Sequence, residues 1–474
     1  MRSAAVPCAL VACCILLEPA VAATLHRYVV RVDPQLQSLE VRACFDGIAP
    51  SRLAASRAAA RYLADPPRIA GGVGGELYRV ADELRLEGLP DDACIDYVTE
   101  IENSGASSRY GTVRGATITN AADWLWRPRD MPADADIEIA FLTAPGHDVS
   151  APWTALSERV YRVGRSPQRW PARVAFGLFH AQKLEVPGAS LRLAVLDGAR
   201  ADSESVTRWI REAALAITTA YGRFPLPGAQ ILVLPVDGAR GPVPWAQVLR
   251  GGGASAHFFI DAEATEAELR ADWTATHELS HMLLPYIDRR DAWLSEGFAS
   301  YYQNVLRARS GMLTPLEAWR LLDAGFRRGI DGTSPARTLS EASIDMDRTR
   351  GFMRVYWSGA AIALLADLRL RGSTGGRQSL DTALAGLRRC CLPSAGRWRA
   401  QALFDRLDDL TGTEIFGELH ATHVNARAFP DLRGAYEALG LEAGANGLRT
   451  VAGARHAAVR DAIMRAPQAS AAAD

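Results

Sequence analysis

Residues 273–284 read WTATHELSHMLL, and Pro285 closes the run. On a helix His277 and His281 stand one turn apart on the same face, so two imidazoles can reach a single ion. Zinc takes nitrogen ligands at about 2.0 to 2.1 Å, and a catalytic site uses three protein ligands and leaves a fourth place for water. Glu278, beside the first histidine, is then positioned to take the proton of that water. The motif is short, so the reading depends on finding a third ligand elsewhere in the chain.

Trp293 to Tyr302, WLSEGFASYY, offers one. Leu294, Phe298, Tyr301, Tyr302 and the following Val305 recur at helical spacing as an apolar face, and Glu296 lies inside that helix. A carboxylate entering a core is costly unless it is paired or metal-bound. The competing assignment is an ion pair with Arg289 or Arg290. Metal binding accounts for both segments at once, which makes His277, His281 and Glu296 the candidate ligands of one zinc ion. Ser300, one turn further on, is a candidate to orient a ligand imidazole.

Upstream, apolar and polar residues alternate in Tyr28 to Val32, Leu39 to Phe45, Cys94 to Ile101 and Ile137 to Phe141, between clusters of Gly, Pro and Asp. Period-two runs of this kind predict antiparallel strands and a β-rich amino-terminal domain over residues 23–190. The alanine- and arginine-rich stretch Ser51 to Leu63 is predicted as a helix. After Pro187-Gly188 the pattern changes. A strand at Leu191 to Leu196 leads to the cap Asp202-Ser203 and a helix with Val206, Trp209, Ile210, Ala213, Ile217 and Tyr221 on one face, stopped by Gly222. Strands follow at Gln230 to Val236 and Ala256 to Asp261, just before the HExxH helix, and together these predict a catalytic domain over 191–310. Leu380, Ala383, Leu384 and Leu387, then Leu403, Phe404, Leu407 and Leu410, keep helical spacing, so a helical lobe is expected over 311–445. Residues 446–474 turn to Gly, Ala and Arg and are expected to form a loosely ordered tail.

At 474 residues the chain can bury more than one core. Its 53 basic and 54 acidic residues cancel, which argues against a nucleic-acid or anionic-membrane partner. Arg2, the apolar run Ala4 to Leu17 and Ala20-Val21-Ala22 read as an export signal over 1–22, cleaved after Ala22, and the destination would be the periplasm or the exterior. A competing reading takes Leu10-Val11-Ala12-Cys13 as a lipoprotein box with a lipid anchor on Cys13. No later segment reaches the roughly 20 apolar residues of a membrane span. Cys44, Cys94, Cys390 and Cys391 remain after signal removal, and in an oxidising compartment they are disulfide candidates with three pairings open.

The residues HELSH with the later SEG of Ser295-Glu296-Gly297 resemble the gluzincin metallopeptidases. Within that group the chain is most similar to the glycyl aminopeptidase family, with the membrane-alanyl and leukotriene A4 hydrolase-type aminopeptidases as relatives. The likeness extends to Tyr28-Val29-Val30 through Asp33-Pro34, to the helix ending Tyr221-Gly222, and to the helix Tyr356 to Arg371. It implies that Tyr356, in the Tyr-x-x-Gly helix start Tyr356-Trp357-Ser358-Gly359, steadies an oxyanion.

The resemblance has departures. The spacer Met282 to Ser295 is shorter, Ser358 replaces a lysine, and little chain follows Leu441 for the family's PDZ module. Relatives hold the substrate's amino terminus with a glutamate in a glycine-rich strand motif, whereas Gly251-Gly252-Gly253-Ala254-Ser255-Ala256-His257 carries no acid. Gly252 and Gly253 could still let a peptide backbone approach, and His257 is a further substrate-binding candidate. His420 and His423 are expected at the surface.

The expected architecture is multidomain α+β: a β-rich amino-terminal domain, a thermolysin-like α/β zinc catalytic domain and a helical carboxy-terminal lobe. The expected function is hydrolysis of peptide bonds in a peptide or protein substrate, with Glu278 as general base. The alternatives are an aminopeptidase with a non-standard amine anchor and a non-catalytic zinc protein that binds peptides.

Overall fold

A computed structural model describes residues 24–72, 74–101, 115–132, 135–394, 396–444 and 447–466. The expected export signal and the Cys13 box lie outside these residues. Among the described residues no helix is long and apolar enough to cross a membrane.

The amino-terminal part is β-rich. Leu25–Val32 buries Tyr28, Val30 and Val32 and exposes the residues between them, as its alternation requires. It pairs in parallel with Asp136–Leu142 and antiparallel with Ser38–Cys44, at the centre of a seven-stranded sheet. Cys44 and Cys94 face each other across neighbouring strands and are disulfide-bonded, as are the adjacent Cys390 and Cys391. The helix predicted over 51–63 is reduced to one turn, Ala59–Tyr62. Arg52–Ala54 is a strand instead, because Leu53 is fully buried between two partner strands and that burial outweighs the helix preference of the alanines.

The middle of the chain forms a five-stranded sheet in the order Phe179–Val186, Ala189–Leu196, Gly228–Val236, Ser255–Asp261, Trp245–Leu249. The three inner strands are parallel and the two edge strands antiparallel to their neighbours. Pro187-Gly188 is therefore a hairpin turn inside this sheet, with Gly188 at φ 81°, and the sheet begins before the pattern change that it marks. The edge strand Trp245–Leu249 was not foreseen, since its residues are all partly exposed and show no alternation. The helix Ser203–Thr218, capped by Asp202 on the Ser205 amide, lies on one face of the sheet.

That face carries Leu191, Leu193, Ile231, Val233 and Phe258, which belong to one core that continues through Trp293, Phe298 and Tyr302 to Leu384, Phe404 and Ile463. The sheet and the helical region thus share a single core. The opposite face, with Leu232, Leu234 and Phe259, packs on Ile118 and Ala175 of the amino-terminal part. Of the expected loose tail, the described residues 447–466 pair Gly447–Thr450 with Leu441–Gly444 in a hairpin and form the helix Ala457–Ile463, and residues 467–474 lie outside the described residues. Ile463 and Met464 enter the core, and Arg309 donates to the Ile463 carbonyl at 2.9 Å, so a few apolar contacts hold a segment of unpromising composition.

Candidate active site

The HExxH segment forms the helix Thr274–Ser280, continued by a tighter turn His281–Leu283. Asp272 accepts from the Thr274 amide at 2.7 Å at the start, and Leu284 turns to extended backbone before Pro285 at the end. Ala275, Leu279, Met282 and Leu283 are buried in the core, which fixes the rotation of the helix. The next helix, Ala292–Arg309, lies across it and contributes Glu296 from its second turn. Arg289 and Arg290 are taken by Asp347 and Asp288, so neither pairs with Glu296.

His277 Nε2 lies 3.3 Å and His281 Nε2 3.5 Å from the same carboxylate oxygen of Glu296. All three donor atoms fall within 4.8 Å of one another. His277 and His281 are buried, whereas the Glu296 side chain retains 21% exposure, which leaves the cluster one open side. The remaining ring nitrogens are occupied: His277 Nδ1 meets Gln303 Oε1 at 2.7 Å and His281 Nδ1 meets Ser295 Oγ at 3.1 Å. Gln303 can only accept through that oxygen, so His277 carries a proton on Nδ1 and presents Nε2 to Glu296.

These two residues, rather than Ser300, orient the imidazoles. Gln303 had a signal, since it lies two turns beyond Glu296 on the same helix face. Ser295 had none.

Electrostatically the cluster attracts a cation. Burial opposes ionisation of Glu296, yet the nearby charge of His281 and hydrogen bonds from both histidines hold its carboxyl well below the usual range. Burial likewise opposes protonation of His277, and Glu296 and Glu278 outweigh it. Glu278 differs: burial pushes its carboxyl up against the pull of His281 and His277, the direction that makes a carboxylate a better proton acceptor. Two imidazole nitrogens and a carboxylate with an open side match the donor set of a catalytic zinc.

Tyr356 stands one turn inside the helix Phe352–Thr374, rather than at its start. Its ring stacks on His277, with centroids 6.1 Å apart and planes 11° apart. Burial raises its phenol, and Glu296 and Glu278 add to the effect, so the hydroxyl remains a donor. Trp273, 45% exposed, stands edge-on to His277 at 5.3 Å.

The other candidates are placed elsewhere. A side chain at Gly252 would meet Pro171 and Ala172, and one at Gly253, at φ 131°, would meet Pro152. The Gly252 carbonyl accepts from Trp153 Nε1 at 3.0 Å, so these glycines let the amino-terminal part seat against the sheet. His257 is fully buried on the strand Ser255–Asp261 beside Gln247, and burial lowers its imidazole to about 3, with Arg173 adding to the effect. His420 and His423 are half-buried, and His420 packs on Phe404 and Trp293.

No protein-family model matches the sequence, and no curated protein matches it by sequence. Solved structures do match. An aminopeptidase N family protein from Idiomarina loihiensis superposes with a TM-score of 0.64 at 14% identity, over 88% of this chain and 78% of that one. An M1 zinc metallopeptidase from Deinococcus radiodurans gives 0.51 at 17%, over 86% and 94%. A variant of the latter, solved with a Tyr-Ser-Ala substrate, gives 0.51 at 17%, over 86% and 95%. With a β-rich amino-terminal part, a mixed central sheet and a helical carboxy-terminal region, the chain has the fold of the M1 zinc metallopeptidases and the aminopeptidase N proteins.

Proposed function

We propose that the chain is a zinc-dependent peptidase in which His277, His281 and Glu296 hold the ion and Glu278 is the general base. The observation that carries this reading is the convergence of two imidazole nitrogens and one carboxylate oxygen within 4.8 Å, with a fourth side open and Glu278 adjacent. When bound, zinc supplies Lewis-acid polarisation of the scissile carbonyl and acidifies a water. Glu278 takes the proton of the attacking water and later delivers it to the departing amine. Tyr356 donates to the negative charge that develops on the carbonyl oxygen. Gln303 keeps the His277 imidazole in the tautomer that binds metal, and Ser295 orients the ring of His281. On this reading the catalytic unit expected over 191–310 is thermolysin-like, with its sheet starting already at Phe179–Val186, and the lobe over 311–445 closes it. The protein is exported, which the apolar run Ala4 to Leu17 and the Cys44–Cys94 disulfide support.

The test is metal analysis and peptide turnover on the parent and on Glu278→Gln. Zinc should be retained at one ion per chain while turnover falls by roughly two to four orders of magnitude, the usual contribution of a general base. Equal turnover by the two proteins would sink the mechanism. Zinc with no turnover by the parent would leave a protein that only binds peptides. The fold neighbours favour one narrower reading, an aminopeptidase. Cleavage confined to peptides with free amino termini, and none of amino-blocked ones, would establish it.

A further inference from the structure

Arg250 follows the edge strand Trp245–Leu249 and reaches the end of the metal-binding helix. Its Nη1 donates to the carbonyl of His281, to that of Leu284 at 2.9 Å and to that of Pro285 at 3.2 Å. The guanidinium carbon also stands over the Tyr286 ring, 5.5 Å from its centre. Arg397, an exposed residue of the helical region, stands over the same ring at 5.3 Å and over Trp170 at 5.5 Å. Trp170, from the amino-terminal part, meets Tyr286 edge-on at 5.5 Å. Gly251 makes this possible, because a side chain there would run into the Trp170 ring. Three distant segments of the chain therefore converge beside ligand His281 to place two guanidiniums over one phenol ring.

Among the described residues neither guanidinium has a carboxylate partner, whereas Arg290 and Arg399 close by are paired with Asp288 and Asp291. Arg250 Nε is buried without a hydrogen-bond partner. Two like charges drawn to one ring repel each other, and an anion bound beside them offsets the repulsion.

We propose that Arg250 and Arg397, with the Tyr286 and Trp170 rings, form a carboxylate-binding subsite beside the metal cluster, and that it selects peptides presenting a negative group near the scissile bond. The proposal rests on the peptidase reading. Guanidinium forks match carboxylates, and the aromatic rings accommodate the adjoining alkyl chain. A free ammonium would be repelled here. The carboxylate can come from an acidic side chain or from the peptide's own carboxy terminus.

Four matched peptides separate these sources: Glu or Gln beside the scissile position, each with a free or an amidated carboxy terminus. They are titrated calorimetrically against the zinc-loaded Glu278→Gln protein, where binding is read without hydrolysis, and then tested as substrates of the parent. A charged hydrogen-bonded contact should tighten binding roughly ten- to a hundredfold over the neutral amide. The preference should shrink with salt and collapse in Arg397→Gln, an exposed position, with urea unfolding of the variant matching the parent. Preference that follows Glu over Gln assigns the side chain, and preference that follows the free terminus assigns the terminal carboxylate. Equal binding of all four peptides, or a preference unchanged in Arg397→Gln, overturns the subsite even where hydrolysis and its loss in Glu278→Gln are seen. The preference in binding without any turnover by the parent would keep the subsite and remove the peptidase.

Discussion

A histidine serves as a metal ligand only in the tautomer whose lone pair faces the ion, and at His277 that choice rests on one acceptor, Gln303 Oε1 at 2.7 Å. Gln303→Leu removes the acceptor and keeps the volume roughly constant, so zinc affinity should fall about ten- to a hundredfold by competition with a chelator. An unchanged affinity would show that packing alone orients the ring. Tyr356 makes a different prediction. Its hydroxyl, kept protonated by burial and by Glu296 and Glu278, is proposed to act only on charge that develops in the reaction. Tyr356→Phe should therefore lower kcat by roughly 10- to 1000-fold with KM little changed, and a rise in KM with kcat intact would make it a substrate-binding group instead. The three ligand candidates were legible in the sequence because spacing put two imidazoles on one face and an apolar context made Glu296 anomalous. Ser295 was hidden, since a serine turns toward an imidazole only through the crossing of two helices.

A second crossing, between Ala292–Arg309 and Phe352–Thr374, depends on two glycines. A side chain at Gly297 would meet the backbone of Gly359, and one at Gly359 would meet the Trp293 carbonyl, so the helices carrying Glu296 and Tyr356 touch through their backbones. Gly297→Ala should force them apart, cost about 1 to 3 kcal/mol in urea unfolding as overpacking does, and weaken zinc binding in parallel. A variant with unchanged stability and affinity would show that the pair can spread without cost. Elements with one clear buried face were readable: Leu25–Val32 alternates, and Ser203–Thr218 pairs an Asp202 cap with an apolar stripe. Elements decided by distant partners were not. Arg52–Ala54 is a strand because its partners, at Glu83–Glu87 and Arg127–Pro128, come from far along the chain, and Trp245–Leu249 is one because it completes an edge.

At the scale of the molecule, His257 reports on the joint between the central sheet and the amino-terminal part, where it lies fully buried with Gln247 and Arg173 as neighbours. Its imidazole falls from an ordinary value of 6.5 to about 3, chiefly by burial and secondarily by Arg173. A lowered value means that the unfolded chain takes up this proton before the folded one does. The associated stability is present in full above pH 6.5 and is lost as pH falls from there toward about 3. Within that window the contribution changes by about 1.4 kcal/mol per pH unit, the cost of one proton bound only by the unfolded chain. Urea midpoints of the parent should therefore drop between pH 6.5 and 4 more steeply than those of His257→Gln, which keeps a polar side chain for Gln247 but has no proton to gain. Because the joint also seats Trp170 beside Tyr286, the parent alone should lose selectivity for acidic peptides in the same window if the joint opens before the core does. Parallel pH curves for the two proteins would mean that His257 is protonated without cost and that the joint is looser than its packing implies.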